Sequence, residues 1–179
     1  MQLHHYTQPS PVGDLLVVIV GDAVCAVSFD RHDETLELLA ARLKASEPVL
    51  RRESPFIKSA FDDYFSGVRR SVEVPFDLLL CSEHVRRVLT ELVKVGFGGL
   101  TTYGELARRT QSSPRAVGQA VGRNPLPVIV PCHRVIAADG SLGGFSGGLD
   151  RKRTLLTLEG HAAFRGGWRS RRAPVGAGG

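Results

Sequence analysis

The run Thr101–Thr102–Tyr103–Gly104–Glu105–Leu106–Ala107, then Ser113–Pro114–Arg115–Ala116–Val117–Gly118, then Asn124–Pro125, then Pro131–Cys132–His133–Arg134–Val135–Ile136 decides the reading of this chain. Thr102 and Glu105 have the spacing of a capping box, which predicts a helix from Tyr103 to Thr110. Ser113 followed by Pro114 is a capping residue followed by a favoured first helical residue, opening a second helix that runs to about Gly122. Two short helices joined by a tight turn fit either a helix-turn-helix or a generic helical pair. The second helix carries Ala116, Gly118, Ala120 and Gly122, small residues that allow close backbone approach to DNA or to another helix. Arg115 opposes the helix dipole in the first turn, which suggests a polar partner outside the helix. Asn124–Pro125 ends the helix, and the apolar Leu126–Val130 reads as a buried extended piece leading into Pro131 and Cys132.

Working outward, Val85, Val88, Leu89 and Leu92 line one face of a helix that ends near Gly96. Further upstream, Leu15–Val20 and Ala23–Phe29 flank Gly21–Asp22 as a hairpin. Asp33–Ala45 has helical spacing, Ser54–Pro55 starts another helix that Gly67 can stop, and Val72–Phe76 reads as a short extended piece. Downstream lies a glycine loop from Gly140 to Gly148, then a helix from Arg151 to Gly160. The expectation is an α/β (α+β) N-terminal domain with a small sheet and helices over residues 1–80. A mostly α C-terminal domain containing a helix-turn-helix follows over 82–164, with a disordered basic tail over 165–179.

The chain has 179 residues, 42% of them apolar and 23% charged, enough for a packed core. Its formal charge of +5 is unevenly spread. Residues 1–83 carry 8 basic and 13 acidic side chains, residues 84–134 carry 8 and 2, and the last fifteen add four arginines and no acid. A basic middle segment suits either a nucleic-acid face or ordinary surface charge. No apolar run reaches membrane-spanning length and no export signal is visible, so a cytoplasmic protein is expected. Three cysteines do not make a disulfide framework.

Cys132 beside His133 is the strongest reactive candidate, since a thiolate is a far better nucleophile than a thiol and a basic setting with Arg134 nearby would favour it. The dipeptide alone fits a structural cysteine beside a packing histidine as well. Cys25, Cys81, His84, His4 and His5 lack tight zinc spacing, so no metal is expected. The glycine pairs 143–144 and 147–148 do not form a dinucleotide fingerprint.

Taken together, the motifs over about residues 83–161 resemble those of the methylated-DNA–protein-cysteine methyltransferases, the O6-alkylguanine-DNA alkyltransferases. The resemblance rests on the 101–107 run, Arg115–Ala116–Val117–Gly118, Asn124–Pro125, the Pro131–Ile136 signature, Phe145–Ser146–Gly147–Gly148, Lys152 and Glu159. It implies a suicide repair protein that takes an alkyl group from O6 of guanine in double-stranded DNA onto Cys132 without a cofactor, with O4-alkylthymine as a second candidate lesion; a monomer is expected. The damaged nucleotide would be flipped out of the stack. The second helix would enter the minor groove, Ala116, Gly118 and Ala120 letting it sit deep and Arg115 filling the gap. His133 would act on Cys132 through a water, oriented by Glu159. Tyr103 would donate toward the leaving guanine, and Asn124 would brace the turn before the acceptor. Carbonyls of Cys132 and Val135 would read the base, Ser146 would contact it, and Lys152 would hold the loop. Thr102 and Arg134 complete the expected DNA- and base-binding set.

Phe145 stands where many relatives have tyrosine, and the 165–179 tail resembles nothing in the family. Competing readings are an alkyltransferase-like damage binder, which would lack the acceptor that Cys132 provides, a plain helix-turn-helix regulator, and a cysteine hydrolase, for which no oxyanion hole is specified.

Overall fold

The computed structural model describes residues 3–30, 32–44 and 49–164, so the expected 165–179 tail lies outside the described residues. The chain begins with a strand that sequence reading missed, β1 (Leu3–Gln8), which pairs antiparallel with β2 (Leu15–Val20). The expected hairpin follows, β2 with β3 (Ala23–Ser28), and the short β4 (Leu50–Arg51) adds parallel to β1. The sheet order is β3-β2-β1-β4. β2 is buried over Leu15–Ile19 because both of its faces are covered, so it reads as a continuous apolar run rather than an alternating one. Helix α1 (His32–Arg42) lies between β3 and β4, and α2 (Pro55–Phe65) starts at Ser54, whose hydroxyl accepts from the Ile57 N–H. Val72–Phe76 forms no regular strand. It meets the sheet at one bridge, Phe76 with Val24.

The C-terminal half is helical, with two small exceptions. Helix α3 (Glu83–Val93) buries Val85, Val88, Leu89 and Leu92. Each fully buried leucine contributes roughly 1.5–3 kcal/mol. Helices α4 (Tyr103–Arg109) and α5 (Pro114–Gly122) start at Thr102 and Ser113 as their caps predict, and the capping box of Thr102 and Glu105 is complete. α5 packs on both α3 and α4. The two-residue β5 (Thr101–Thr102) pairs in parallel with β6 (Val135–Ile136). That pairing brings the start of α4 beside the segment that holds Cys132.

Leu126–Val130 is buried as expected but not extended. It folds back on itself, with the Val130 N–H bonded to the Leu126 carbonyl at 2.8 Å. Val128 sits at a φ of 76°, a left-handed conformation that β-branched residues rarely adopt. Proline at 125, 127 and 131 removes the N–H groups a regular strand would need. The chain then enters a single 3₁₀ turn, Cys132–Arg134, and later α6 (Leu149–Leu158). One buried cluster runs from Tyr6 and Leu15 through Phe61 and Leu89 to Val117, Cys132 and Leu155, so both halves share a core. Among the described residues no helix is long and apolar enough to cross a membrane.

Candidate active site

Cys132 is 3% exposed and opens into a cavity of about 200 Å³. Tyr103, Gly118, Val121 and Gly122 line one side, and Gly144, Phe145 and Ser146 the other. The fold-back at 126–130 is fixed by Asn124. Its side chain donates to the Val130 carbonyl and accepts from the Leu126 N–H, both at 3.0 Å. Burial pushes the Cys132 thiol up from its ordinary range, and hydrogen bonding from Asn124 and the charge of Lys152 pull partly back. Arg134 is not among the groups that favour the thiolate, contrary to the expectation from its place in the sequence. A thiol in this state needs a base to become a nucleophile.

His133 is buried in the same turn, and its Nε2 lies 2.9 Å from Glu159 Oε1. Burial lowers its pKa, outweighing the Glu159 carboxylate, which raises it, so the imidazole is neutral at pH 7. In that form Nε2–H donates to Glu159, leaving Nδ1, which has no protein partner among the described residues, as a basic lone pair. Burial alone would push the Glu159 carboxyl up. Hydrogen bonds from His133 and Arg134 overcome that and hold it well below the ordinary carboxylate range. Arg134 donates from Nε to Oε2 at 2.8 Å and from Nη2 to Oε1 at 2.7 Å, and a third donor goes to the Val95 carbonyl. It was expected in the DNA- and base-binding set. Instead it is 5% exposed and committed to Glu159, because a buried carboxylate needs a cation more than the surface does.

Lys152 is fully buried, and its ammonium donates to the carbonyls of Val135 at 2.6 Å, Gly144 at 3.3 Å and Leu142. Burial pulls its pKa down to about 8. These bonds tie the glycine loop to β6 and to the acceptor turn. The loop is also held from the other half of the molecule. Phe145 packs edge-on to Phe29, with ring centroids 5.9 Å apart. Gly147 is required there, since a Cβ would come within 2.7 Å of the Phe29 ring. Tyr103 is half-buried. Burial and the neighbouring Cys132 charge raise its pKa, which keeps the phenol protonated, while the Gly144 backbone pulls slightly the other way.

Residues 83–161 match the family model described as 6-O-methylguanine DNA methyltransferase, DNA binding domain. The chain is 37% identical over 166 residues to the methylated-DNA–protein-cysteine methyltransferase of Haemophilus influenzae, spanning 88% of this chain and 86% of that protein. The chain belongs to the methylated-DNA–protein-cysteine methyltransferase family. Its fold matches the crystal structure of Mycobacterium tuberculosis O6-methylguanine methyltransferase with a TM-score of 0.72 at 33% identity, covering 88% of this chain and 93% of that one. A structure of the same organism's protein in complex with DNA matches at 0.70, with 33% identity over 87% and 92% of the two chains.

In this methyltransferase family member, Cys132, Tyr103, Gly118 and Ser146 share one cavity, and His133 and Glu159 form a buried pair behind it. Arg115 is exposed in the first turn of α5, with Ala116 half-buried beside it. Ala120, expected on the outer surface of α5, is buried at 1% exposure, so the small-residue face consists of Ala116, Gly118 and Gly122. Thr102 is half-buried and occupied as the cap of α4. The Val135 and Cys132 carbonyls already accept from Lys152 and from the Val135 N–H, so each would meet a base with its second lone pair. Sequence reading missed Tyr64, Gly98, Phe29 and Arg151. Tyr64 and the Gly98 N–H both donate to Glu159, at 2.8 and 3.3 Å. Arg151 joins Asp30, the Val12 carbonyl and the Gly147 carbonyl. Hydrophobic spacing places Tyr64 on the inner face of α2, but nothing local signals its distant partner.

Proposed function

We propose that this chain repairs DNA by direct reversal, moving the alkyl group from O6 of guanine in duplex DNA to Cys132, once per molecule, as a cytoplasmic monomer. The observation that carries this reading is a buried thiol at the wall of a base-sized cavity, backed by a neutral histidine whose other nitrogen is held by a carboxylate. In this reading α5 enters the minor groove with Ala116 and Gly118 toward the duplex, and Arg115 occupies the space of the flipped nucleotide. The Cys132 proton passes through a water to His133 Nδ1, and Glu159 offsets the charge that forms on the imidazole. The sulfur attacks the alkyl carbon in line, the C–O6 bond breaks, and a thioether forms. The departing guanine oxygen receives a hydrogen bond and then the proton of the Tyr103 hydroxyl, which is replaced from solvent as the imidazolium releases to solvent the proton it took from Cys132. Ser146 and Phe145 border the base, and Lys152 keeps the glycine loop in place for them. The thioether has no route back to a thiol in this scheme, so turnover stops after one transfer.

The test is incubation with a duplex bearing radiolabelled O6-methylguanine, followed by intact mass measurement. Wild type is expected to retain the label and gain one methyl on Cys132. Cys132→Ser is expected to bind the duplex and retain none. Label retained on Cys132→Ser, or multiple turnover by wild type without retained label, overturns the reading.

A further inference from the structure

Glu159 Oε1 accepts from three directions. Tyr64 Oη donates at 2.8 Å, His133 Nε2 lies at 2.9 Å and Arg134 Nη2 at 2.7 Å. A carboxylate oxygen has about two lone-pair directions, so three donors share its charge and each weakens the others. Two of these donors belong to the acceptor turn. The third comes from α2, 95 residues away in the N-terminal half. We propose that the Tyr64 hydroxyl is a positioning group for the transfer reaction, taking a share of Glu159 Oε1 and so limiting how firmly the carboxylate can hold a second proton on His133. The inference rests on the reading of His133 as the base that serves Cys132.

The setting makes Tyr64 a fixed donor. It is 1% exposed, and its ring sits edge-on to Phe65 and to Phe97, with centroids 5.2 and 6.5 Å away. Burial, with the Glu159 charge next, pushes its phenol far above the ordinary range, so it does not ionise where the protein works. Glu159 at the end of α6 favours protonation of His133, while Arg134 in the same turn and Lys152 on α6 oppose it. Tyr64 reaches it through the shared oxygen, and the Gly98 N–H holds the other carboxylate oxygen. With the hydroxyl gone, more of the Oε1 charge faces His133. The imidazole then gains its proton at higher pH, and the neutral base is lost sooner as the medium is acidified.

Tyr64→Phe keeps the ring and removes only the hydroxyl, and Phe65→Leu is the control for packing. Single-turnover transfer is measured against pH for wild type and both variants. The ¹⁵N shifts of the His133 ring are followed in the same proteins, assigned with His133→Gln. For Tyr64→Phe, the acid-side midpoint of the rate and of the His133 titration should both rise by about half a pH unit or more, with the high-pH rate falling no more than about threefold. Phe65→Leu should leave both midpoints where they are. Unchanged midpoints in Tyr64→Phe, or equal displacement in both variants, overturns the proposal. If wild type transfers no methyl group the proposed function fails, and the His133 titration still decides the role of Tyr64.

Discussion

Helix α6 carries two buried charges, and both oppose its dipole. Lys152 lies in the first turn, where a cation is disfavoured, and Glu159 caps the last, where an anion is disfavoured. Neither is there to stabilise the helix. Glu159 is surrounded by charged and neutral donors, Arg134, His133, Tyr64 and Gly98. Among the described residues the hydrogen bonds of Lys152 all go to neutral carbonyls, and its charge reaches Cys132 and His133 only through space. Its pKa falls to about 8, whereas the Glu159 carboxyl is held strongly ionised. The difference is one of what each charge secures. Glu159 answers another buried charge and orients a base, so it belongs to an ion network. Lys152 answers backbone, so it works as a clip between the glycine loop and the acceptor turn.

The largest effect should come from breaking the network. Glu159→Gln leaves the Arg134 guanidinium buried without its anion, a situation that costs about 3–5 kcal/mol. Urea unfolding should register that loss, and methyl transfer should fall with it, since His133 loses its orienting charge. Lys152→Met removes a charge without stranding another. It leaves three carbonyls short of a donor but also relieves the burial of an ammonium, so the net loss should be smaller, about 2–3 kcal/mol. If Lys152→Met costs as much as Glu159→Gln, the clip is part of the network and the distinction fails.

The pH dependence sharpens the same contrast. The folded Glu159 carboxyl lies below its unfolded value, so its contribution is present above about pH 4.3 and is lost as pH falls below that. Lys152 runs the other way at the alkaline end. Its folded value of about 8 lies below the unfolded value near 10.4, so the unfolded chain binds more protons between them and stability from this group rises with pH across that window. Wild-type stability should therefore gain on that of Lys152→Met as pH climbs through the window. A constant gap would show that Lys152 does not titrate there.

The two charges are alike in how they can be read from sequence, since Lys152 and Glu159 both enter only through the family resemblance. Helix starts at Ser54, Thr102 and Ser113 were legible because a cap acts over three residues, and the β2–β3 hairpin because its turn is local. Cys132 and His133 stand out as a dipeptide, whereas Glu159 enters only with the family resemblance. β1 was not, since its pairing is settled by β2 and its polar residues His4 and His5 hide a strand whose buried positions are Leu3, Tyr6 and Gln8. The fold-back at 126–130 was misread because an apolar run states that a segment is buried and leaves its direction open. Arg134 was misplaced for a similar reason. Beside a nucleophile and in a basic segment it looks like a DNA contact, and only the position of Glu159, 25 residues away, turns it inward.

The smallest effect should come from Arg151, the neighbour of Lys152 on α6. It also holds the glycine loop, but from outside. It donates to both Asp30 oxygens at 2.7 and 2.9 Å, to the Gly147 carbonyl at 3.1 Å, and lies over the Phe29 ring at 5.1 Å. Asp30 is 64% exposed, so solvent screens the pair. Arg151→Ala should cost about 1 kcal/mol, seen as a fall of roughly 2–4 °C in Tm. The loop would keep its anchor through Lys152, so transfer should slow by no more than about threefold, an effect of less than 1 kcal/mol on the barrier. Two adjacent side chains thus divide one task, the buried one setting where the loop sits and the exposed one joining it to the N-terminal half. Should Arg151→Ala slow transfer as much as Lys152→Met, the order reverses. The loop would then be placed from the Phe29–Asp30 side, and the carbonyl clip would serve folding alone.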